Sequence, residues 1–231
     1  MEPGKIRSEM DAVVAQHDLL QHPFYQAWTA GALRQEDLRR YATEYYHHVA
    51  AFPTYLSALH ARLPDGELRR SVLRNLCEEE IAGTPHTDLW LDFAEGVGAS
   101  RDAARAAAPA LHTRELIAAF RRIAAEASPA AALGAFYAYE SQVARIAGLK
   151  AKGLRECYGA DTKTCAYFVQ HAEQDLHHAR VWAEQIEKEL RGSGTPAQEE
   201  VMRAAGDAAT ALWKSLDGIY DGCAASAAVK H

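Results

Sequence analysis

The sequence predicts an all-α fold, and two of its features do so. Apolar residues recur at spacings of three and four along almost the whole chain, while the period-two alternation of half-buried strands is nearly absent. The periodic stretches are long and are separated by glycine- and proline-containing breaks, the punctuation expected between helices.

The elements follow in order. Ser8 to Gln21 reads as a first helix, which His22-Pro23 interrupts. Gln35-Glu36-Asp37 opens a long helix through Tyr45, Phe52 and Tyr55 to about Leu63, because acidic residues favour a helix N-terminus. Pro53 inside it removes a backbone donor and predicts a kink. A helix from Asp65 runs through Glu79, is disturbed at Gly83-Thr84-Pro85, resumes through His86 and Trp90, and ends at Gly96 and Gly98. After an alanine-rich connection at 102 to 110, helices are expected at Thr113 to Ala127, Pro129 to about Gly148, and Asp161 to about Arg191. Gly192 to Pro196 is the clearest loop. A last helix runs from about Pro196 to Tyr220, and residues 223–231, small and without periodicity, read as a disordered tail. Residues 1–222 are therefore expected to form a single domain.

With 231 residues and 48% hydrophobic content the chain can bury one sizeable core. Its net charge of -6 is spread along the sequence without a Lys/Arg block, which argues against nucleic acid as a partner. No apolar run approaches ~18 residues and no signal core opens the chain, so a cytoplasmic protein without a membrane partner is expected. The four cysteines lack both CxxC spacing and the density of a disulfide scaffold, and read as reduced thiols.

The strongest chemical signal is His171-Ala-Glu-Gln-Asp175-Leu-His177-His178. At about 100° per residue, His171, Asp175 and His178 fall within roughly 60° of one another on one helix face, while Glu173 and His177 project elsewhere. Glu79 and His86 are seven residues apart, which on a helix is two turns and nearly the same face. Glu140 stands on a helix otherwise rich in alanine and aromatics. An isolated HxxxDxxH is more often a solvated face, and Glu78-Glu79-Glu80 is the kind of acidic run usually found at a surface. The conjunction of six ligand-type residues on three helices favours a two-metal carboxylate/histidine centre, and these donors suit iron or manganese. Tyr41, Tyr45 and Tyr55 line one helix, with Tyr25, Tyr137, Tyr139 and Tyr167 near the other motifs. Such stripes are most often packing residues, but a tyrosine beside an oxygen-activating metal can be oxidised.

Several ordered blocks between about residues 8 and 220 resemble the CADD family, named for the Chlamydia protein associating with death domains, within the haem-oxygenase-like di-metal oxidases. They are His22-Pro-Phe-Tyr25-Gln-Ala-Trp28, Tyr41-Ala-Thr-Glu-Tyr45-Tyr46, Ala51-Phe-Pro53, Glu78-Glu-Glu80, Tyr137-Ala-Tyr-Glu-Ser-Gln142 and His171 to His178. The resemblance implies a seven-helix haem-oxygenase-like bundle of the TenA/PqqC type, a homodimer, and a di-iron or iron/manganese centre. Its six ligands fall on Glu79, His86, Glu140, His171, Asp175 and His178. It further implies a self-sacrificing oxidase that makes para-aminobenzoate for folate biosynthesis, using molecular oxygen and an external reductant whose donor is not named. The matching ring source is Tyr25 and the matching amino donor Lys150, with Tyr41, Tyr139 and Tyr167 in supporting places. Read without the resemblance, Tyr25 packs beside Pro23 and Trp28, and Lys150 is a solvated helix-end cation.

Other readings compete. The same metal site could serve an oxidase acting on a fatty acid or an amino acid, which would need a substrate channel. A thiaminase-like hydrolase would need a cysteine nucleophile, and none lies between Pro129 and Lys150. A cofactor-free oxidase of the pyrroloquinoline-quinone-forming type would leave six ligands unexplained, as would a non-enzymatic interaction module.

Overall fold

The computed structural model describes residues 4–228, with side chains described through Cys223. Among the described residues there is no strand, so the all-α expectation holds. The helices are α1 (Lys5–Val14), α2 (Pro23–Thr29), α3 (Gln35–Arg62), α4 (Glu67–Glu80), α5 (His86–Gly96), α6 (Arg101–Ala106), α7 (Leu111–Glu126), α8 (Pro129–Tyr158), α9 (Thr162–Glu189) and α10 (Thr195–Ala228). Single 3₁₀ turns occupy Ala15–His17 and Leu19–Gln21.

Ten helices stand where seven were expected. The difference is the separation of α4 from α5 and the two short helices α2 and α6. His22-Pro23 starts a helix instead of only interrupting one: proline at the first helical position has its φ already set, and the His22 Nδ1 accepts from the Phe24 N–H at 3.1 Å. In the alanine-rich connection, the Ser100 side chain caps α6 by accepting from Ala103 N. Pro53 lies within α3 without ending it. The helix α10 continues to Ala228 and buries Cys223, where the sequence reading began a disordered tail; residues 229–231 lie outside the described residues.

The central element is α8. Residues 130–140 are all buried, so this part is enclosed on every side, mainly between α9 and α10. Small side chains permit that approach: a Cβ on Gly134 would stand 3.0 Å from the Val201 carbonyl oxygen of α10. Expected to end near Gly148, α8 instead runs ten residues further and stops at Gly159, whose φ of 66° suits glycine at a helix C-terminus. Gly153 keeps the helix next to α2, since a Cβ there would meet the Trp28 ring at 2.9 Å.

A tight turn then joins α8 to α9, whose N-terminus is capped by Asp161 accepting from Thr164 N at 2.8 Å. In an antiparallel hairpin, residues equally far from the turn lie at the same height. Glu140 and His178 are each nineteen residues from Gly159, and Lys150 and Phe168 are each nine. Helix α5 packs on α9, and α3 packs on α7, α4 and α5, which brings its tyrosines toward the same level. No helix among the described residues is long and apolar enough to cross a membrane.

The cap of α2 can be tested directly. His22 is buried, and its Nε2 pairs with Asp217 on α10 at 3.1 Å. His22→Ala should lower stability by about 1 kcal/mol for the lost cap, and His22→Asn should recover part of it. Urea melts that place His22→Ala level with the parent chain would count against this assignment.

Candidate metal centre

Two turns and one helix face bring six ligand-type side chains together in the core. Glu79, His86, Glu140, His171, Asp175 and His178 are all at most 6% exposed. On α9, His171, Asp175 and His178 face inward, whereas Glu173 and His177 are exposed. Glu79 and His86 meet for a different reason from the one their spacing suggested. The helix ends at Glu80, the chain reverses through residues 81–85 with Gly83 at φ 98°, and His86 begins α5. The result is a hydrogen bond between the His86 Nδ1 and Glu79 Oε2 of 2.8 Å.

The six fall into two groups. Glu79, His86 and His171 offer ligand atoms all within 4.8 Å of one another. Beside them, the His178 Nδ1 stands 3.8 Å from Glu140 Oε1 and 3.7 Å from Asp175 Oδ1. The His171 Nδ1 donates to the Tyr167 carbonyl at 2.7 Å, which leaves its Nε2 lone pair free to bind a cation. Glu140 accepts from Asn75 Nδ2 at 2.9 Å and from the Trp182 indole N–H. The His178 Nε2 pairs with Glu78 Oε2 at 2.5 Å, and Gln170 Nε2 donates to the His86 Nε2 at 2.9 Å. These supporting residues escaped the sequence reading. Asn75 and Trp182 each lie four residues from a ligand-type residue on the same helix, a spacing that could have marked them.

The electrostatics fit a cation. Burial raises the Glu140 and Asp175 carboxyls above their usual range; His178 opposes the shift and the Glu79 charge adds to it. Burial alone would lower His178, but the neighbouring Asp175, Glu140 and Glu78 carboxylates outweigh this and raise it to about 10. Burial, aided by His86, pushes His171 well down. Asp175 Oδ2 and His178 Nδ1 are buried without a hydrogen-bond partner. Three carboxyls and three imidazoles gathered in an apolar core are the donor types a divalent cation would satisfy.

Residues 39–213 match the profile of a family described as an iron-containing redox enzyme. The chain belongs to this family. It is 40% identical to a 4-aminobenzoate synthase from Nitrosomonas europaea, over 96% of this chain and 93% of the relative. To a 4-aminobenzoate synthase from Chlamydia pneumoniae it is 36% identical, over 92% of this chain and 93% of that one. A TenA homologue from Pseudomonas syringae shares the fold, with a TM-score of 0.79 at 18% identity, covering 94% of this chain and 91% of the other. The protein is therefore a metal-using redox enzyme on the haem-oxygenase-like fold, as the sequence blocks implied.

A layer of tyrosines leads away from the family's metal site. Tyr167 stacks on His171 with ring centroids 3.8 Å apart. Trp90 packs against both Tyr167 and Tyr45, with ring centroids 4.9 and 5.4 Å away, and Tyr45 stacks on Tyr41 at 5.3 Å. The Tyr41 and Tyr25 hydroxyls are 3.2 Å apart. Burial raises these four phenols and that of Tyr139, so they are neutral at physiological pH. Lys150 joins them: its Nζ donates to Tyr41 Oη at 2.5 Å and lies 4.6 Å from the Tyr25 ring centroid. The solvated-cation reading of Lys150 is thereby corrected, because α8 continues past it and buries it. It has no carboxylate partner among the described residues, and burial holds its amine well below the usual lysine value.

Two outcomes follow. His178→Ala should reduce bound iron sharply on elemental analysis with the helical signal kept, while His177→Ala retains the metal. Lys150→Met should raise stability near pH 7 by at least about 1 kcal/mol, because only the unfolded chain gains the charged amine there. That advantage should disappear as pH rises through about 10.4, where the unfolded-state lysine also loses its proton. A variant less stable than the parent at pH 7 would contradict an unpaired buried amine.

Proposed function

We propose that the chain makes 4-aminobenzoate from its own Tyr25, with Lys150 as amino donor, and that this single-use chemistry serves folate biosynthesis. The observation that carries the reading is the sealed contact of the Lys150 amine with the Tyr25 ring and Tyr41 hydroxyl. A lysine is not held without a counter-charge for stability, so its place is explained by use. The names of the two relatives point to the same product.

In this reading Glu79, His86, Glu140, His171, Asp175 and His178 hold two metal ions, iron with iron or iron with manganese. When bound, these ions supply oxidising power drawn from molecular oxygen and electrons from an external reductant. The residues of the chain do the rest. Neutral Lys150 presents a lone pair, since its proton is disfavoured by burial. Tyr41, bonded to both Tyr25 and Lys150, fixes their relative position and can pass a proton between them. Tyr167, Trp90 and Tyr45 provide ring-to-ring contact from His171 toward Tyr41 along which an electron can leave Tyr25.

Tethering favours an internal substrate. The side chain is already placed, so no translational freedom is lost on reaction. The crevice lined by Val49, Phe52, Tyr139, Tyr167 and the carboxylates has no room for a water-sized molecule, far less than the usual small-molecule pocket offers. The aromatic layer closes around it, which supports an internal over an external aromatic substrate. Homodimeric assembly belongs to the same proposal and rests on the family resemblance alone.

Tyr25→Phe should abolish 4-aminobenzoate while sparing metal binding, because phenylalanine keeps the packing and removes the oxidisable hydroxyl. Lys150→Arg should also stop product, since arginine keeps a cation but is a poor amine donor. With isotopically labelled tyrosine in the protein, plus iron, manganese, reductant and oxygen, the label should appear in 4-aminobenzoate. At most one product per chain, with mass lost at residue 25, is expected. Repeated turnover of an added small molecule with Tyr25 intact would overturn the reading.

A further inference from the structure

The proposed reaction draws electrons from outside, yet its centre is buried. A groove of about 770 Å³ on the outer face of α7, where α7 packs on α3, offers a route. Its floor is small and apolar, formed by Ile117, Ala118 and Ala125, and its rim carries Arg114, Arg121 and Arg122. Arg114 donates to the Pro109 carbonyl at 2.7 Å, and no carboxylate pairs with Arg121 or Arg122 among the described residues. The acidic groups nearby are Glu126 at the rim, Glu44, whose carboxylate is held by Ala110 N and Thr113 Oγ1, and Glu115 and Asp207, which line an adjoining cleft with Arg122. Three guanidinium groups converge on one groove of a chain whose net charge is -6.

Packed aromatic matter connects this groove to the family's metal site. Under Arg121, buried Tyr55 stacks on Phe120 with centroids 5.5 Å apart. The Tyr55 hydroxyl meets the His48 Nδ1 at 3.4 Å, and the His48 ring packs edge-on against Tyr139 at 5.1 Å. Tyr139 lines the crevice with Glu79, Glu140 and His171. Each step is a contact between neighbouring rings, with no intervening solvent layer.

We propose that this groove docks a small acidic electron-carrier protein of the iron–sulfur or flavin type, which delivers electrons inward through Tyr55, His48 and Tyr139. In each encounter the carrier is oxidised by one electron and the centre is reduced by one; no bond forms or breaks. The inference rests on the oxidase reading above and names the partner of that same site. Charge complementarity selects an acidic protein, because clustered rim cations steer an acidic partner and fix its register. The open form of the groove also favours a protein: a small anion would be held by polar groups converging in an enclosed pocket.

The first test needs no metal. Isotope-labelled full-length apoprotein is titrated at low ionic strength with oxidised plant-type ferredoxin and, separately, flavodoxin, and backbone amide shifts are followed. Perturbations should cluster on residues 114–125 and around His47, and should fade with added salt. Joint Arg114→Glu, Arg121→Glu and Arg122→Glu substitution should weaken binding about tenfold or more, with Arg122→Glu alone intermediate and Lys5→Glu without effect. The second test follows anaerobic reduction of the iron-loaded protein. Ferredoxin should reduce the triple variant about tenfold more slowly than the parent, while the uncharged radical of photoreduced deazariboflavin reduces both equally.

Failure of both carriers to bind the parent chain, perturbations on another face, or variants that bind as the parent does would each overturn the proposal. So would dissociation of a homodimer on arginine reversal, seen by sedimentation, because the groove would then be filled by a second copy. The two readings fail separately. Docking and reduction without labelled 4-aminobenzoate would sink the proposed function alone, and labelled product with chemical reductant but no docking would sink the partner alone.

Discussion

Everything near the centre of this protein depends on the cost of placing ionisable groups in a helical core. Moving a carboxylate or ammonium out of water costs several kcal/mol even after relaxation. Here three carboxyls, three imidazoles and one amine are buried within a few helical turns of one another. Partial compensation is visible: Asn75 and the Trp182 indole donate to Glu140, Glu78 reaches His178, and the Tyr167 carbonyl takes the His171 proton. Asp175 Oδ2 and His178 Nδ1 still lack partners, and the family to which the chain belongs is one of iron-containing redox enzymes.

The fold meets that cost through α8 and its neighbours. An alanine-rich helix lets α9 and α10 approach closely enough to exclude water, and the tight turn at Gly159 sets the level at which Glu140 faces His178. The same turn sets Lys150 against Phe168, with the Nζ 5.2 Å from its ring centroid. One hairpin register therefore determines both the acidic cluster and the position of the isolated amine. The tyrosines of α3 fill the space between, and the Tyr41 hydroxyl is satisfied by Tyr25 and Lys150 instead of water.

Two kinds of buried ionisable group are thus kept apart by aromatic rings. The acidic cluster suits metal ions, whereas Lys150 sits among Tyr25, Trp28, Tyr41 and Phe168 with no counter-charge in reach. Stability alone would select a hydrophobic residue at that position. A stability cost retained beside an oxidisable phenol is the pattern of a working site, and it ties the proposed amino donor to the proposed ring.

The periodicity of the sequence by itself determined the all-α class, because spacing of three and four encodes which helix face is buried regardless of partner. The inward set His171, Asp175 and His178 was legible for the same reason, as all three lie on one regular helix. Glu79 and His86 were legible as a pair, but helical spacing supplied the wrong cause, since a chain reversal joins them. The short helices α2 and α6 were hidden because a proline and an alanine-rich connection read as breaks until their caps are seen. Only tertiary structure could decide the fate of Lys150: its environment comes from α2, α3 and α9, distant in sequence, and from the continuation of α8 beyond Gly148. Gln170 and Glu78 likewise gained their roles from contacts between helices, whereas Asn75 and Trp182 carried the weaker signal of a four-residue spacing from Glu79 and His178.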